Sequence, residues 1–432
     1  MVPRALTGAG ALVVVLVLAG CTGPGDEPAP TVTSARHATA PSSDPTTSAP
    51  GPSPTPTPDA RPARCTTLPE ADEDADVAPG SATVGVEVST VATDLAVPWG
   101  IAPLSDGRVL LTLRDDAGVV LVEPDGTVTP VDGPGADELA DVVVHEAESG
   151  LLGVTVLAER DDAVDVALYA TTADDNRVLR ATLSGTTLGD LTPVLTGIPR
   201  QWYHSGGGVA LGPDGCLWIT TGDAGDPDAA QDLDSLGGKI LRVTPDGDPA
   251  PGNPFAGSPV WSYGHRNVQG IGWSADGRTF AAEFGQDTWD ELNVIHPGAN
   301  YGWPVVEGRG GGGDFVDPVA VWATDDASPS GLAVTDEAVY LAGLRGETLW
   351  RVPLRPVGET DADGVGEPQA LLTGEHGRLR AVVALGTAGG PGSRSDEDAS
   401  DDERALLVLT NNRDGRGEPS DGDDRLLRVV VD

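Results

Sequence analysis

The chain has 432 residues, of which 67 are acidic and 26 basic, giving a formal net charge of −41. A surface this negative repels phosphate backbones and anionic bilayers. It excludes nucleic acid as a natural partner and disfavours membrane attachment by charge alone. Gly and Pro are abundant, at 58 and 37, and aromatic residues make up only 4%. Short Val/Leu-rich runs between Gly, Asp and Pro stand where long amphipathic helices would be, which points to an all-β protein.

In chain order, Arg4 supplies a positive start, and Ala11 to Gly20 form an apolar stretch too short for a comfortable membrane span. It ends in Leu18-Ala19-Gly20-Cys21, the pattern of a bacterial lipobox. Residues 1–21 therefore read as a lipoprotein signal peptide with Cys21 as the lipidated thiol, and two acyl chains give stable anchoring. The expectation is an exported protein held to the outer face of the cell membrane through its lipid alone. An ordinary signal peptide with a chance cysteine is the alternative. Residues 22–64 are Pro, Ser, Thr, Ala and Gly with almost no large apolar side chain, so they read as a disordered linker. Cys65 and Cys216 remain, and thiols in an oxidising compartment can pair. Nothing in the sequence brings them close, so a disulfide and two separate thiols both stand.

Residues 65–432 carry a repeated unit of two apolar runs joined by a polar turn. The copies are Arg108–Arg114 with Gly118–Val122, Val164–Thr171 with Arg177–Arg180, and Cys216–Thr221 with Lys239–Val243. Then come Arg278–Glu283 with Glu291–Ile295, Ala338–Ala342 with Thr348–Val352, and Ala405–Thr410 with Arg425–Val429. Asp-Gly turns such as Ser105-Asp-Gly, Pro213-Asp-Gly and Ala275-Asp-Gly open several copies. Six copies predict a six-bladed β-propeller of four-stranded antiparallel blades, with functional residues on loops at one end near the axis. The low-complexity patch Gly390 to Glu403 reads as a solvated loop.

Four stretches are richer in polar and special residues than blade turns require. They are Gln201-Trp-Tyr-His-Ser-Gly-Gly-Gly208 with Gly222-Asp-Ala-Gly225, Tyr263-Gly-His-Arg-Asn-Val-Gln-Gly270, Glu283 to Asn293 running on to Asn300-Tyr-Gly-Trp-Pro304, and Gly377-Arg-Leu-Arg380 preceded by Gly343-Leu-Arg345. Each alone has a bland reading: a loop histidine that hydrogen-bonds, an Arg-Asn pair bracing a turn, a solvated Asp-Glu pair. Gly206-Gly-Gly208 precedes a strand rather than a strand-to-helix turn, which argues against a dinucleotide site.

Together, in this order, and with Val97-Pro-Trp-Gly100, Ser149-Gly-Leu-Leu-Gly153 and Pro251-Gly-Asn-Pro-Phe255, these stretches resemble the soluble glucose and aldose sugar dehydrogenases that use pyrroloquinoline quinone (PQQ). The resemblance implies oxidation of an aldose at C1 to a lactone, with electrons passed on to an unidentified acceptor. It places His204 as general base, Asp223 as the carboxylate orienting it, and Arg266 and Asn267 on the quinone side of PQQ. Arg345, Arg378 and Arg380 fall on positions that bind the cofactor carboxylates, and Glu148 on one that lines the same site. Main-chain carbonyls of Gly285 and Gln286 would hold a Ca²⁺ against PQQ. Glu291, the carbonyl of Tyr301 and the nearby Asp290 would serve a second, structural Ca²⁺. Two residues depart from the family: Gln286 stands where relatives have Pro, and Ala381 where Asp commonly follows the Arg-x-Arg. Two other readings stay open. One is a propeller that binds a glycan or protein without redox chemistry, and the other is a Ca²⁺-dependent propeller lactonase.

Overall fold

The computed structural model describes residues 65–68, 84–357, 364–386 and 404–431. The signal peptide with Cys21, the linker 22–64 and the Gly390–Glu403 patch lie outside them. All strands described below belong to the compact unit Asp59–Asp432.

The strands form six antiparallel blades, as the repeat predicts. Blade one is Pro98–Pro103, Val109–Leu113, Gly118–Val122 and Val128–Pro130. Blade two is Leu151–Arg160, Ala163–Thr171, Asn176–Ser184 and Thr192–Ile198, with the extra two-residue strand Thr187–Leu188. Blade three is Val209–Leu211, Leu217–Thr220, Lys239–Val243 and Val260–Tyr263. Blade four is Val268–Trp273, Thr279–Glu283, Trp289–Val294 and Ala320–Ala323. Blade five is Pro329–Val334, Ala338–Gly343, Leu349–Pro353 and Gln369–Leu371. Blade six takes Leu379–Ala384, Ala405–Thr410 and Leu426–Val431 from the C-terminal end. Its fourth strand, Val86–Ala92, comes from the N-terminal end and pairs with Leu426–Val431 from Val86↔Val431 onward. This pairing completes the last blade with an N-terminal strand and so closes the ring. Each copy visible in the sequence is thus the second and third strand of a blade.

Apolar side chains alternate along these strands and fill the seams between blades. One cluster joins Leu110 and Leu121 of blade one to Val166 and Leu168 of blade two. Others join blades two and three, three and four, four and five, five and six, and six and one. The core is therefore a ring of inter-blade layers rather than one central mass.

Strand direction decides which loops meet. The start of every first strand and the turn from second to third strand fall at one end of an antiparallel blade. His204–Gly208, Thr221–Asp223, Arg266–Asn267, Phe284–Gln286, Leu344–Arg345 and Arg378 all occupy such positions. The turn from first to second strand falls at the other end, and there the chain is cross-linked. Cys65 and Cys216 form a disulfide. It fixes residues 65–68 against blade three, where Thr66 N–H donates to Asp214 O at 3.0 Å. Of the two readings left open for these cysteines, the paired one holds.

Candidate active site

The loops at the first end surround a cavity of about 190 Å³. Glu148, His204, Arg266, Asn267, Gly285, Gln286, Asp290, Arg345, Arg378 and Arg380 all line it. Residues separated by up to 232 positions in sequence thus converge on one space.

His204 sits in the turn before blade three with φ +52. This left-handed conformation is uncommon for a side chain larger than glycine and marks a residue held for its position. Two glycines make the turn possible. A Cβ on Gly206 (φ +64) would meet Thr221 Cα at 2.5 Å, and one on Gly222 would meet the carbonyl O of His204 at 1.9 Å. The imidazole lies against Asp223, with Nδ1–H donating to Oδ1 at 2.6 Å. The carboxylate also accepts Gly225 N–H at 2.8 Å and Trp303 Nε1–H at 2.9 Å. Burial would raise the Asp223 pKa, but the bond and charge of His204 and these donors hold it below the ordinary value. An ionised Asp223 fixes the tautomer and leaves Nε2, which has no protein partner among the described residues, as the reactive nitrogen. The loop carrying Asp223 is tied down by Lys239, whose buried Nζ donates to the carbonyls of Ala229, Ala230 and Gly237 at 2.7, 3.2 and 2.7 Å.

The cavity is cationic. Five guanidinium groups line it, from Arg266, Arg345, Arg378, Arg380 and Arg416. Arg266 lies over the Trp303 ring at 5.5 Å and donates to Phe284 O at 3.2 Å. Arg378 pairs with Asp414 at 2.8 Å. Arg380 donates to Gln269 Oε1 (3.1 Å), Ser330 Oγ (3.2 Å) and Asn411 Oδ1 (3.2 Å). These three partners and Asp414 brace Arg380 where the family's following Asp is replaced by Ala381. Burial, followed by the like charges of Arg114 and Arg378, pushes the Arg380 pKa down. The Nε atoms of Arg266, Arg378 and Arg380 are buried without a hydrogen-bond partner among the described residues. Unsatisfied buried donors are costly, and the three arginines that carry them line one cavity, whose clustered positive charge fits a polyanionic ligand. Arg345 differs, being 58% exposed at the rim and paired with Asp325 at 2.9 Å.

The residues expected to hold cations divide between two spaces. Gly285, Gln286 and Asp290 border the main cavity, whereas Glu291 and Tyr301 border a neighbouring space of about 10 Å³ with Glu283 and Glu307. Burial, then the charge of Glu283, raises the Glu291 carboxyl to about 8. Asp290 spends both oxygens on main-chain N–H groups, of Gly285 at 2.9 Å and Ser328 at 2.6 Å. Burial raises its pKa to about 7. Both bonds brace the loop. Gln286 lacks the fixed φ of a proline, and Glu307 supplies the rigidity instead. Its Oε1 accepts the N–H groups of Gln286, Asp287, Thr288 and Trp289 at 2.7–3.0 Å. Against the burial that would raise it, these bonds hold the Glu307 carboxyl low.

The family model described as Glucose / Sorbosone dehydrogenase matches residues 95–389. The chain belongs to this family. Among solved structures it is similar to the PQQ-bound form of the aldose sugar dehydrogenase of Streptomyces coelicolor. That match has a TM-score of 0.71 and 48% identity, and covers 82% of this chain and 100% of that one. Aldose sugar dehydrogenase YliI of Escherichia coli is 33% identical over 242 residues, which span 52% of this chain and 62% of that protein. Quinoprotein glucose dehydrogenase B of Acinetobacter calcoaceticus is 28% identical over 249 residues, or 49% of this chain and 50% of that one.

Membership of this family makes the polar cavity at the loop end the site to consider. Arg416, Asp414 and Glu307 escaped the sequence reading. Each is a single polar residue outside any repeated motif or in a Gly/Asp-rich loop. Trp303 lay inside a noted stretch, but its role as donor to Asp223 was invisible without coordinates.

Proposed function

We propose that this chain is a PQQ-dependent aldose dehydrogenase that oxidises a sugar at C1 to the lactone, with His204 as general base. One observation carries the reading: a histidine with a carboxylate on Nδ1 shares a cavity with the arginines Arg266, Arg345, Arg378, Arg380 and Arg416. Oxidation of the C1 hydroxyl releases a proton and a hydride. His204 Nε2 takes the proton, and Asp223 stabilises the imidazolium that results. PQQ, when bound, supplies the hydride acceptor that no side chain provides. Arg378, Arg380, Arg266 and Asn267 would hold it, with Arg345 at the rim. The carbonyls of Gly285 and Gln286, stiffened by Glu307, would hold a Ca²⁺ beside it, and Glu291 with Tyr301 a second one.

The test is reconstitution. Apo-protein with PQQ and Ca²⁺ should reduce an artificial dye in the presence of aldoses. H204A should lower kcat by about 10²–10⁴-fold while PQQ titration by quinone absorbance stays close to wild type. Undiminished turnover by H204A would remove His204 from the mechanism. Absence of saturable PQQ binding to the wild type would favour a non-redox binding propeller. Ca²⁺-dependent lactone hydrolysis without PQQ would favour the lactonase.

The same reading places the enzyme outside the cell on a lipidated Cys21, and the Cys65–Cys216 disulfide is in keeping with an oxidising compartment. A C21S variant recovered in the membrane fraction to the same extent as wild type would refute the anchor.

A further inference from the structure

The site contains a cation that neither the repeat nor the family motifs account for. Arg416 stands in the loop between Ala405–Thr410 and Leu426–Val431, and its guanidinium lines the cavity. Its side chain is 52% exposed, and Nη1 donates to Glu148 Oε1 at 2.9 Å. The other oxygen of Glu148 accepts the main-chain N–H of His204 at 3.0 Å. Two residues before Arg416, Asp414 accepts the Arg416 main-chain N–H on Oδ1 at 2.9 Å and the Arg378 guanidinium on Oδ2 at 2.8 Å. One turn of the last blade therefore fixes Arg378 through a carboxylate and presents a second guanidinium beside it, reaching a glutamate 268 positions away.

We infer that Arg416 is a further binding residue for the carboxylate-bearing cofactor, and that Glu148 is the counter-ion it leaves when that ligand arrives. The inference rests on the proposed function. Its physical basis is a comparison of partners. Arg416 meets its partner from the solvent-exposed side through one nitrogen, so exchanging one carboxylate for another costs the arginine little. A ligand carboxylate entering among Arg266, Arg378 and Arg380 offers Arg416 two oxygens inside a field of positive charge, where Glu148 gives it only Oε1. Glu148 is an anion and repels such a ligand. It does not serve as a direct partner for the ligand carboxylates, although it lines their cavity. Burial would raise its pKa, but the Arg416 charge and the His204 N–H keep it ionised. After the exchange Glu148 retains its bond to the His204 main chain. The pair thus holds Arg416 in place beforehand and supports the histidine turn throughout.

The experiment compares wild type, R416Q, R416K and E148Q. Each is titrated with PQQ, followed by quinone absorbance, and with citrate, a tricarboxylate without a quinone, followed by the shift in Tm. Opposed changes are expected. R416Q should weaken PQQ binding about tenfold or more, with part of the loss recovered in R416K. E148Q, which removes the competing carboxylate, should strengthen binding by up to about fivefold. A pair with only a structural role would move R416Q and E148Q in the same direction, and that result overturns the inference, as does wild-type affinity in R416Q. If citrate shows the opposed shifts while wild type takes no PQQ, the carboxylate site at Arg416 stands and the PQQ reading falls. If wild type binds neither, both fall.

Discussion

Two sets of buried arginines occupy opposite ends of the blades and satisfy their charge in different ways. At the disulfide end, Arg242 is fully buried against Trp218 and Trp261, at 5.6 and 5.1 Å from the ring centres. Its Nε donates to Asp214 at 2.7 Å, and its other nitrogens reach Pro251 O, Asn253 Oδ1 and Thr66 O. At the loop end, Arg378 and Arg380 are almost as buried, at 7% and 5% exposure, yet each keeps an unpartnered Nε. Equal burial with unequal satisfaction separates a charge that holds the fold from a charge kept for a ligand. A protein removes charge from water at a cost of several kcal/mol. At Arg242 the fold provides a carboxylate at 2.7 Å, whereas Arg380 bonds only neutral oxygens among the described residues, with Asp414 3.8 Å away.

Three measurements would break or sharpen this contrast. The largest effect is expected at Arg242. R242M leaves Asp214 buried and unpaired, so urea unfolding should show a loss of about 3–5 kcal/mol, with PQQ affinity unchanged. Next is the disulfide of the same region, which closes a sequence separation of 151 residues. Its reduction should lower stability by about 2–4 kcal/mol in thermal unfolding while the reconstituted dye assay at 25 °C is retained. The third is R380M, which removes a charge whose pKa burial already depresses. PQQ affinity should fall about tenfold to hundredfold, while the apo-protein unfolds at the same or higher urea concentration. The contrast would collapse if R380M destabilised the apo-protein as much as R242M, or if R242M lost the cofactor.

Legibility in the sequence followed the same division. The second and third strands of each blade were readable because they are buried on both faces and bounded by Asp-Gly turns. The outer strands Val128–Pro130 and Gln369–Leu371 were not, being three residues long and partly exposed. His204, Asp223 and Arg266 were readable because they lie in motifs whose residue types are otherwise unexplained. Arg242 looked like any other strand residue, since its meaning depends on Asp214 and two tryptophans. Glu307 was unreadable for a related reason: one carboxylate oxygen gathers four N–H groups 18 to 21 positions upstream.

The sequence by itself determined the class of fold, the number of blades and the residue types at the reactive corner. Those features are local, written in the alternation of apolar side chains, in turns and in short motifs. The tertiary structure decided how the ring closes through Val86–Ala92, that Cys65 meets Cys216, and that Glu148 and Arg416 face each other. Each is a contact between residues far apart in sequence that only the folded chain brings together. No local propensity encodes the ring, because it arises from the hydrophobic seams that every blade shares with its neighbours.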